Sequence, residues 1–255
     1  MKINNPGIVC ALSMMITLCG CQLLSDPLPQ LWFYTYSNGG GTDNVLNPAS
    51  FLSLRKDGTF TRDFGRFSYG RWKYENKNIY LTEQMGGTTN TNIYPVTAIG
   101  PKEMKLDLGG GETGVFDSQP RAAGKATDDP FSLQNNKWRI RPTHKESDAE
   151  IKNRLYDHCQ FWETYFNWAL ANELSTIDVR STPTPIKIYG NGFTLKPLEE
   201  LPANWKSCFY DEEDCSKANA MIKDIFQHRT IAWAHTDNKY KFFISAFQQM
   251  KNFLR

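Results

Sequence analysis

Hydrophobic and polar positions along this chain change their spacing at readable boundaries. An apolar run from Ile8 to Leu18 follows the positive Lys2 and ends at Leu18-Cys19-Gly20-Cys21. It is too short to span a bilayer and has the order of a secretory signal. From residue 31 to 119 the apolar residues fall in short β-prone runs. These are Leu31–Tyr36, Phe51–Arg55, Thr59–Arg62, Phe67–Tyr74, Ile79–Thr82, Ile93–Ile99, Met104–Leu108 and Gly114–Phe116. Lys56-Asp57-Gly58 and Glu75-Asn76-Lys77-Asn78 punctuate two of the gaps, and Asp-Gly supplies positive φ at low steric cost. Close strand spacing without intervening helix predicts an antiparallel barrel or sandwich. Period-two parity points Trp32, Tyr34, Leu52, Leu54, Phe60, Trp72, Ile79 and Leu81 into one interior.

Beyond a polar, proline-bracketed stretch at 120–130, expected to be a linker, the period changes. Ile151, Leu155, Cys159, Trp162, Phe166, Leu170 and Leu174 recur at steps of three and four. That predicts one long amphipathic helix, capped at Ser147 or Asp148 and running to about Leu174. Phe161, Tyr165 and Trp168 add a second stripe, so its middle should be covered on both sides. A strand at Thr176–Arg180 and a hairpin of Ile186–Tyr189 with Phe193–Leu195 are expected next. A helix from Ser216 to about Phe226, a hairpin of Thr230–His235 with Lys239–Ser245 and a short terminal helix follow. The fold class expected is α+β overall: an antiparallel β-barrel, then an α+β domain over residues 131–255.

Two resemblances sharpen this picture. Leu18-Cys19-Gly20-Cys21 resembles the lipobox of bacterial lipoproteins, which implies cleavage after residue 20 and an acylated Cys21 at the mature N-terminus. Residues 21–30 then form a tether, and eleven residue steps from Cys21 to Trp32 at roughly 3.3 Å each reach about 36 Å. By the same resemblance, Gln22 in place of an aspartate after the cysteine implies the outer membrane, and the single Asp26 in place of an acidic pair implies its periplasmic side. The second resemblance lies in Trp32, then Asp57-Gly58-Thr59-Phe60, then Gly70-Arg71-Trp72, then Ile79-Tyr80-Leu81. It is similar to the lipocalin-like domains of bacterial lipoproteins and implies an eight-stranded barrel over residues 31–119. Gly70 would let a strand bend or a ring cross it, with Trp32 and Trp72 plugging one end. A lumen of eight strands holds side chains or one small ligand, and this many aromatics predicts a filled one.

Composition changes the picture little. The chain has 29 basic and 27 acidic residues and no Lys/Arg block, so nucleic acid is not an expected partner. Lys137, Arg139 and Arg141 read as a solvated strand face. With Cys10 and Cys19 removed and Cys21 lipidated, Cys159, Cys208 and Cys215 remain for an oxidising compartment. Cys208 with Cys215, enclosing six residues, is the expected disulfide. Pairing with Cys159 stays open, because connectivity is not written in sequence.

Catalytic chemistry is sparse. His158 and Cys159 are adjacent on the predicted helix and therefore point about 100° apart, which disfavours a nucleophile–base pair. Asp211-Glu212-Glu213-Asp214 lacks the alternating ligands of a calcium loop and reads as a solvated loop tip. No metal spacing, phosphate loop or nucleophile elbow occurs, so no cofactor is expected. What remains is a membrane-anchored, non-catalytic protein that docks an envelope protein or holds a small apolar ligand. The competing expectation is an envelope enzyme or carbohydrate-acting accessory with its site in residues 131–255, where Trp162, Trp168, Trp205 and Trp233 could line a cleft.

Overall fold

Short strands joined by tight turns satisfy their backbone only against neighbours, and here each pairs with the next in sequence. The structure is a computed structural model that describes residues 27–39, 46, 49–85, 88–121, 125–174, 182–189, 192–196, 200–228 and 238–255. The signal, Cys21, the expected strands at Thr176–Arg180 and Thr230–His235 and most of the Gly-rich stretch after Asn38 lie outside the described residues. Eight strands form one closed antiparallel barrel in sequential order. They are β1 (Leu31–Asn38), β2 (Phe51–Leu54), β3 (Thr59–Asp63), β4 (Phe67–Glu75), β5 (Asn78–Met85), β6 (Thr88–Ile99), β7 (Glu103–Gly109) and β8 (Glu112–Gln119). β8 returns to pair with β1, so the sheet has no edge between its first and last strands.

Two local residues explain much of the barrel's geometry. Gly58 sits at φ +77°, as the turn between β2 and β3 requires. Gly70 serves a closer purpose than bending: a Cβ there would lie 2.0 Å from the Thr82 carbonyl oxygen of β5. Inside, Trp32, Tyr34, Leu52, Leu54, Phe60, Ile79 and Leu81 are buried in one cluster with Val96, Met104, Leu106 and Phe116, and Trp72 packs partly buried against it. One end is sealed by the indoles. Trp32 Nε1 donates to Leu28 O at 3.1 Å and Trp72 Nε1 to Arg55 O at 2.8 Å. Toward the other end Glu83, nearly fully buried, accepts from Arg62, from Ser68 Oγ at 3.0 Å and from Asn92 Nδ2 at 3.1 Å.

The outer face of β1 and β2 carries apolar residues too, Leu31, Phe33 and Phe51, and a second layer covers them. α1 (Leu133–Asn136), α2 (Asp148–Ala171), α3 (Ala203–Lys206), α4 (Glu212–His228) and α5 (Lys239–Phe253) form it with the hairpin β9 (Ile186–Tyr189) and β10 (Gly192–Leu195). Leu31 and Phe51 belong to the same core as α2, α4 and α5. Phe131 is the keystone: its ring meets Phe51 at 5.0 Å, Phe33 at 5.4 Å and Trp168 at 4.9 Å. Its carbonyl accepts from Arg55 Nη2 at 2.8 Å and from Thr61. The stretch expected as a linker is tied down as well, since Arg121 reaches Ser53 Oγ and Leu54 O at 2.9 and 2.7 Å.

α2 starts with a capping box between Ser147 and Glu150. Its first stripe packs on α5 (Phe166 to Phe243, 4.8 Å) and its second faces the barrel through Trp168. Other expectations are overturned. Lys239–Ser245 is not a strand but the start of α5, capped by Asn238, whose side chain accepts from Tyr240 N. α4 begins at Glu212 rather than Ser216, because Asp211 accepts from Asp214 N and caps it. The acidic run is therefore a helix start, where carboxylates meet the positive end of the helix dipole. Lys137–Arg139 form a 3₁₀ turn rather than the expected strand, and Arg139 is buried rather than solvated.

Candidate functional site

The expected disulfide is absent: Cys159, Cys208 and Cys215 are all free and buried. A bridge needed a hairpin between residues 208 and 215, but the chain winds into α4 there. Cys208 follows α3, its thiol donating to Asn204 O at 3.2 Å, and Cys215 accepts from Asn219 Nδ2 at 3.7 Å within α4. Burial pushes the Cys159 and Cys208 thiols up to about 12, which removes the thiolate that nucleophilic chemistry needs.

His158 is equally closed to acid–base work. It is fully buried, edge-on to Trp138 at 4.8 Å and Trp205 at 5.1 Å, and its Nε2 accepts from Trp162 Nε1 at 3.0 Å. Burial and, less strongly, the Arg139 charge hold its pKa down at about 3, so the ring is neutral. His144 faces Glu150 at 3.3 Å and His228 faces Asp224 at 2.8 Å, both in solvent. Among the described residues no group of three or more His, Cys, Asp and Glu side chains is placed to hold a metal ion.

The concave feature that gathers charge and apolar surface lies outside the lumen, at the seam of the two halves. It is a groove of about 610 Å³ walled by Phe67 and Tyr69 of β4 on one side and by Ile140, Arg141 and Cys208 on the other, within the size range of small-molecule sites. The β3–β4 connection brings the exposed Arg66 to its rim and the largely buried Asp63 to its floor. Its floor is Arg139, with only 3% of its side chain exposed, bound to Asp63 Oδ2 at 2.8 Å. The rings of Phe161, Trp138 and Phe67 stand 5.0, 5.2 and 5.6 Å from that guanidinium, close enough for cation–π attraction. Burial lowers the Arg139 pKa and raises that of Asp63, in each case against the partner's charge. The pair is therefore expensive to keep dry. Arg141 is exposed and donates to Tyr210 O at 2.6 Å, and Arg66 reaches Glu83 Oε2 at 3.6 Å.

A second cavity of similar volume, between residues 121–128 and α2, is polar, lined by Arg121, Asp128, Glu163, Asn167 and Asn172 beside Trp168. Its carboxylate Glu163 is already held by Lys251 and by Gln248 Nε2 at 2.8 Å. Trp162 and Trp205 are fully buried in the core and line neither cavity, and Trp233 lies outside the described residues. The groove residues escaped the sequence reading, which placed Arg139 and Arg141 on a solvated face. The available signal was the interleaving of Lys137-Trp138-Arg139-Ile140-Arg141, where apolar residues alternate with charge. Comparisons with protein-family models, with curated proteins and with solved structures found no match.

Proposed function

We propose that this chain is a lipid-anchored lipoprotein of the cell envelope, held at the periplasmic face of the outer membrane through Cys21. It works as a non-catalytic binding protein through the groove at the seam. One observation carries the binding role: the groove combines aromatic walls with convergent arginines, whereas the interior positions of the barrel are occupied by packed side chains. The neutral His158 and the protonated thiols of Cys159 and Cys208 weigh against nucleophilic or general-base chemistry. Among the described residues no helix is long and apolar enough to cross a membrane, so attachment in this reading rests on the acyl chains. More than one chain makes such attachment stable.

The test is native mass spectrometry of the mature chain taken from its own envelope in mild detergent, followed by denaturing intact mass. An acyl mass on Cys21 and an adduct lost on denaturation are expected. An unmodified Cys21 sinks the anchor, and a chain that is always empty counts against the binding role. The polar cavity beside Trp168 supports a second reading, a carbohydrate-binding accessory, since amide and carboxylate groups around an indole suit a sugar. The engagement of Glu163 by Lys251 makes it the weaker one.

A further inference from the structure

We propose that β6, where it outruns β7 at the open end of the barrel, takes an extended, uncharged segment of another envelope protein as an added strand. β6 has twelve residues against seven in β7. It pairs with β5 from Thr88, opposite Met85, to Pro95, opposite Asn78, but meets β7 only at Val96, Ala98 and Ile99. Beyond that contact Asp107 Oδ1 accepts from Gly109 N at 2.8 Å, and β7 bulges into its turn with β8. The direction of the β5 ladder follows from Val96 N, which donates to Lys77 O at 2.7 Å. Backbone groups alternate in direction along a strand, so Thr89, Thr91 and Ile93 turn their N–H and C=O away from β5. Among the described residues no strand takes them on that side. None of the three lines the seam groove, so this is a second surface.

Sheet edges left in water are ordinarily blunted by charge, proline or a bulge. Here residues 84–99 contain no Asp, Glu, Lys or Arg, and Pro95 and the bulge between Val96 and Ala98 stand past the open stretch. Thr89 and Thr91 are exposed, and Ile93 leaves 55% of its surface in water, more than the exposed tyrosines Tyr36, Tyr74 and Tyr210. The chemistry of the occupant follows from these groups. N–H and C=O groups repeating at roughly 7 Å along a line are matched by another extended backbone. Its residues opposite Thr91 and Ile93 lie outside, and those opposite Asn92 and Tyr94 face the barrel mouth, where Leu108 is partly buried. Charge at that mouth is already balanced: Glu83 accepts from Asn92 Nδ2 at 3.1 Å and from Arg62, which also donates to the Tyr94 hydroxyl. A neutral strand with apolar residues at alternate positions suits both faces. A second copy of this chain suits the edge less well. Antiparallel pairing of two copies there is a two-fold contact that points their Cys21 ends in opposite directions, against the shared membrane of the anchoring proposed above.

The experiment is an NMR titration of the mature chain carrying Cys21→Ser, which needs no detergent, with the acetylated and amidated hexapeptide TVTVTV below its aggregation concentration. In the free chain the amides of Thr89, Thr91 and Ile93 should exchange with solvent about tenfold or more faster than those of Asn90, Asn92 and Tyr94, which face β5. Saturable binding with new protection at the first three is expected. Methylating every backbone nitrogen of the peptide should abolish it, and Thr91→Lys should weaken it about tenfold or more. Thr97→Lys, the same charge on the stretch of β6 beside β7, should not. Slow exchange of Thr89, Thr91 and Ile93 in the free monomer means an edge already paired and overturns the proposal. No binding of the hexapeptide, or equal binding of its methylated form, overturns it as well. Binding lost with Tyr69→Ala and kept with Thr91→Lys moves the peptide to the seam groove and overturns the edge. A concentration-dependent dimer abolished by Thr91→Lys gives the edge to a second copy and overturns the peptide partner. An adduct in native mass spectra reports on the groove alone, so the two readings fail separately.

Discussion

At the scale of single residues, the buried ionisable groups decide how this protein responds to its surroundings. His158 has a folded pKa of about 3, below the ordinary value of 6.5. Between those two values the unfolded chain takes up a proton that the native chain refuses, so stability falls as pH drops through that window. The slope approaches about 1.4 kcal/mol per pH unit, and at pH 5 the loss is about 2 kcal/mol. Urea unfolding of the wild type and of His158→Gln, compared from pH 7 to pH 4, should show the shallower dependence in the variant. The Asp63–Arg139 pair makes an asymmetric prediction. Asp63→Asn strands a guanidinium that cannot shed its proton and should cost about 3 kcal/mol. Arg139→Met should cost less, because the carboxyl of Asp63, already raised by burial, can take a proton. Asp63→Leu with Arg139→Met should come close to wild type, and a double-mutant cycle on urea midpoints reads all three.

Elements were legible in the sequence where one face is wet, and much less so where both are dry. The hairpins β2–β3 and β4–β5 announce themselves through Asp57-Gly58 and Asn76-Lys77, the latter two residues at positive φ despite their side chains. Parity along β4 and β5 placed Trp72, Ile79 and Leu81 correctly on the inside. β1 and β2 carried a second message in the lack of alternation at Leu31-Trp32-Phe33-Tyr34 and Phe51-Leu52-Ser53-Leu54. A strand apolar on both faces is covered on both, and that points to the helical layer on the barrel's flank. Lys239–Ser245 differs from the expected strand because Phe242-Phe243-Ile244 is β-prone locally, while the Asn238 cap and the packing of Phe243 on Phe166 and Phe247 on Trp162 favour the helix α5. The groove was illegible for another reason: β4 and the Arg139 segment lie some seventy residues apart, and no local period records their approach.

Two predictions belong at this scale. Gly70→Ala drives a Cβ into the Thr82 carbonyl and should cost about 2–3 kcal/mol in urea melts, with the β4–β5 register disturbed. The three free thiols should resist iodoacetamide in the folded chain, and all three should react once it is denatured without reductant. A mass deficit of two hydrogens in the untreated chain would restore the disulfide.

For the molecule as a whole, the seam makes the two halves one thermodynamic unit. Leu31 and Phe51 lie in the core of the helical layer, and Phe131 fastens both sides. Heating should therefore give a single calorimetric transition with equal calorimetric and van't Hoff enthalpies. The barrel cut after Gln119 would expose Phe33 and Phe51 and should aggregate.

The indole-sealed end of the barrel has a consequence for orientation. The chain enters there, with Leu54 N bonded to Gln30 O and Trp32 to Leu28 O, while the β3–β4 turn that brings Asp63 and Arg66 to the groove is at the opposite end. A protein tethered through Cys21 would stand on its sealed end. Its arginine-rimmed groove would then open toward the aqueous space, turned away from the lipid headgroups.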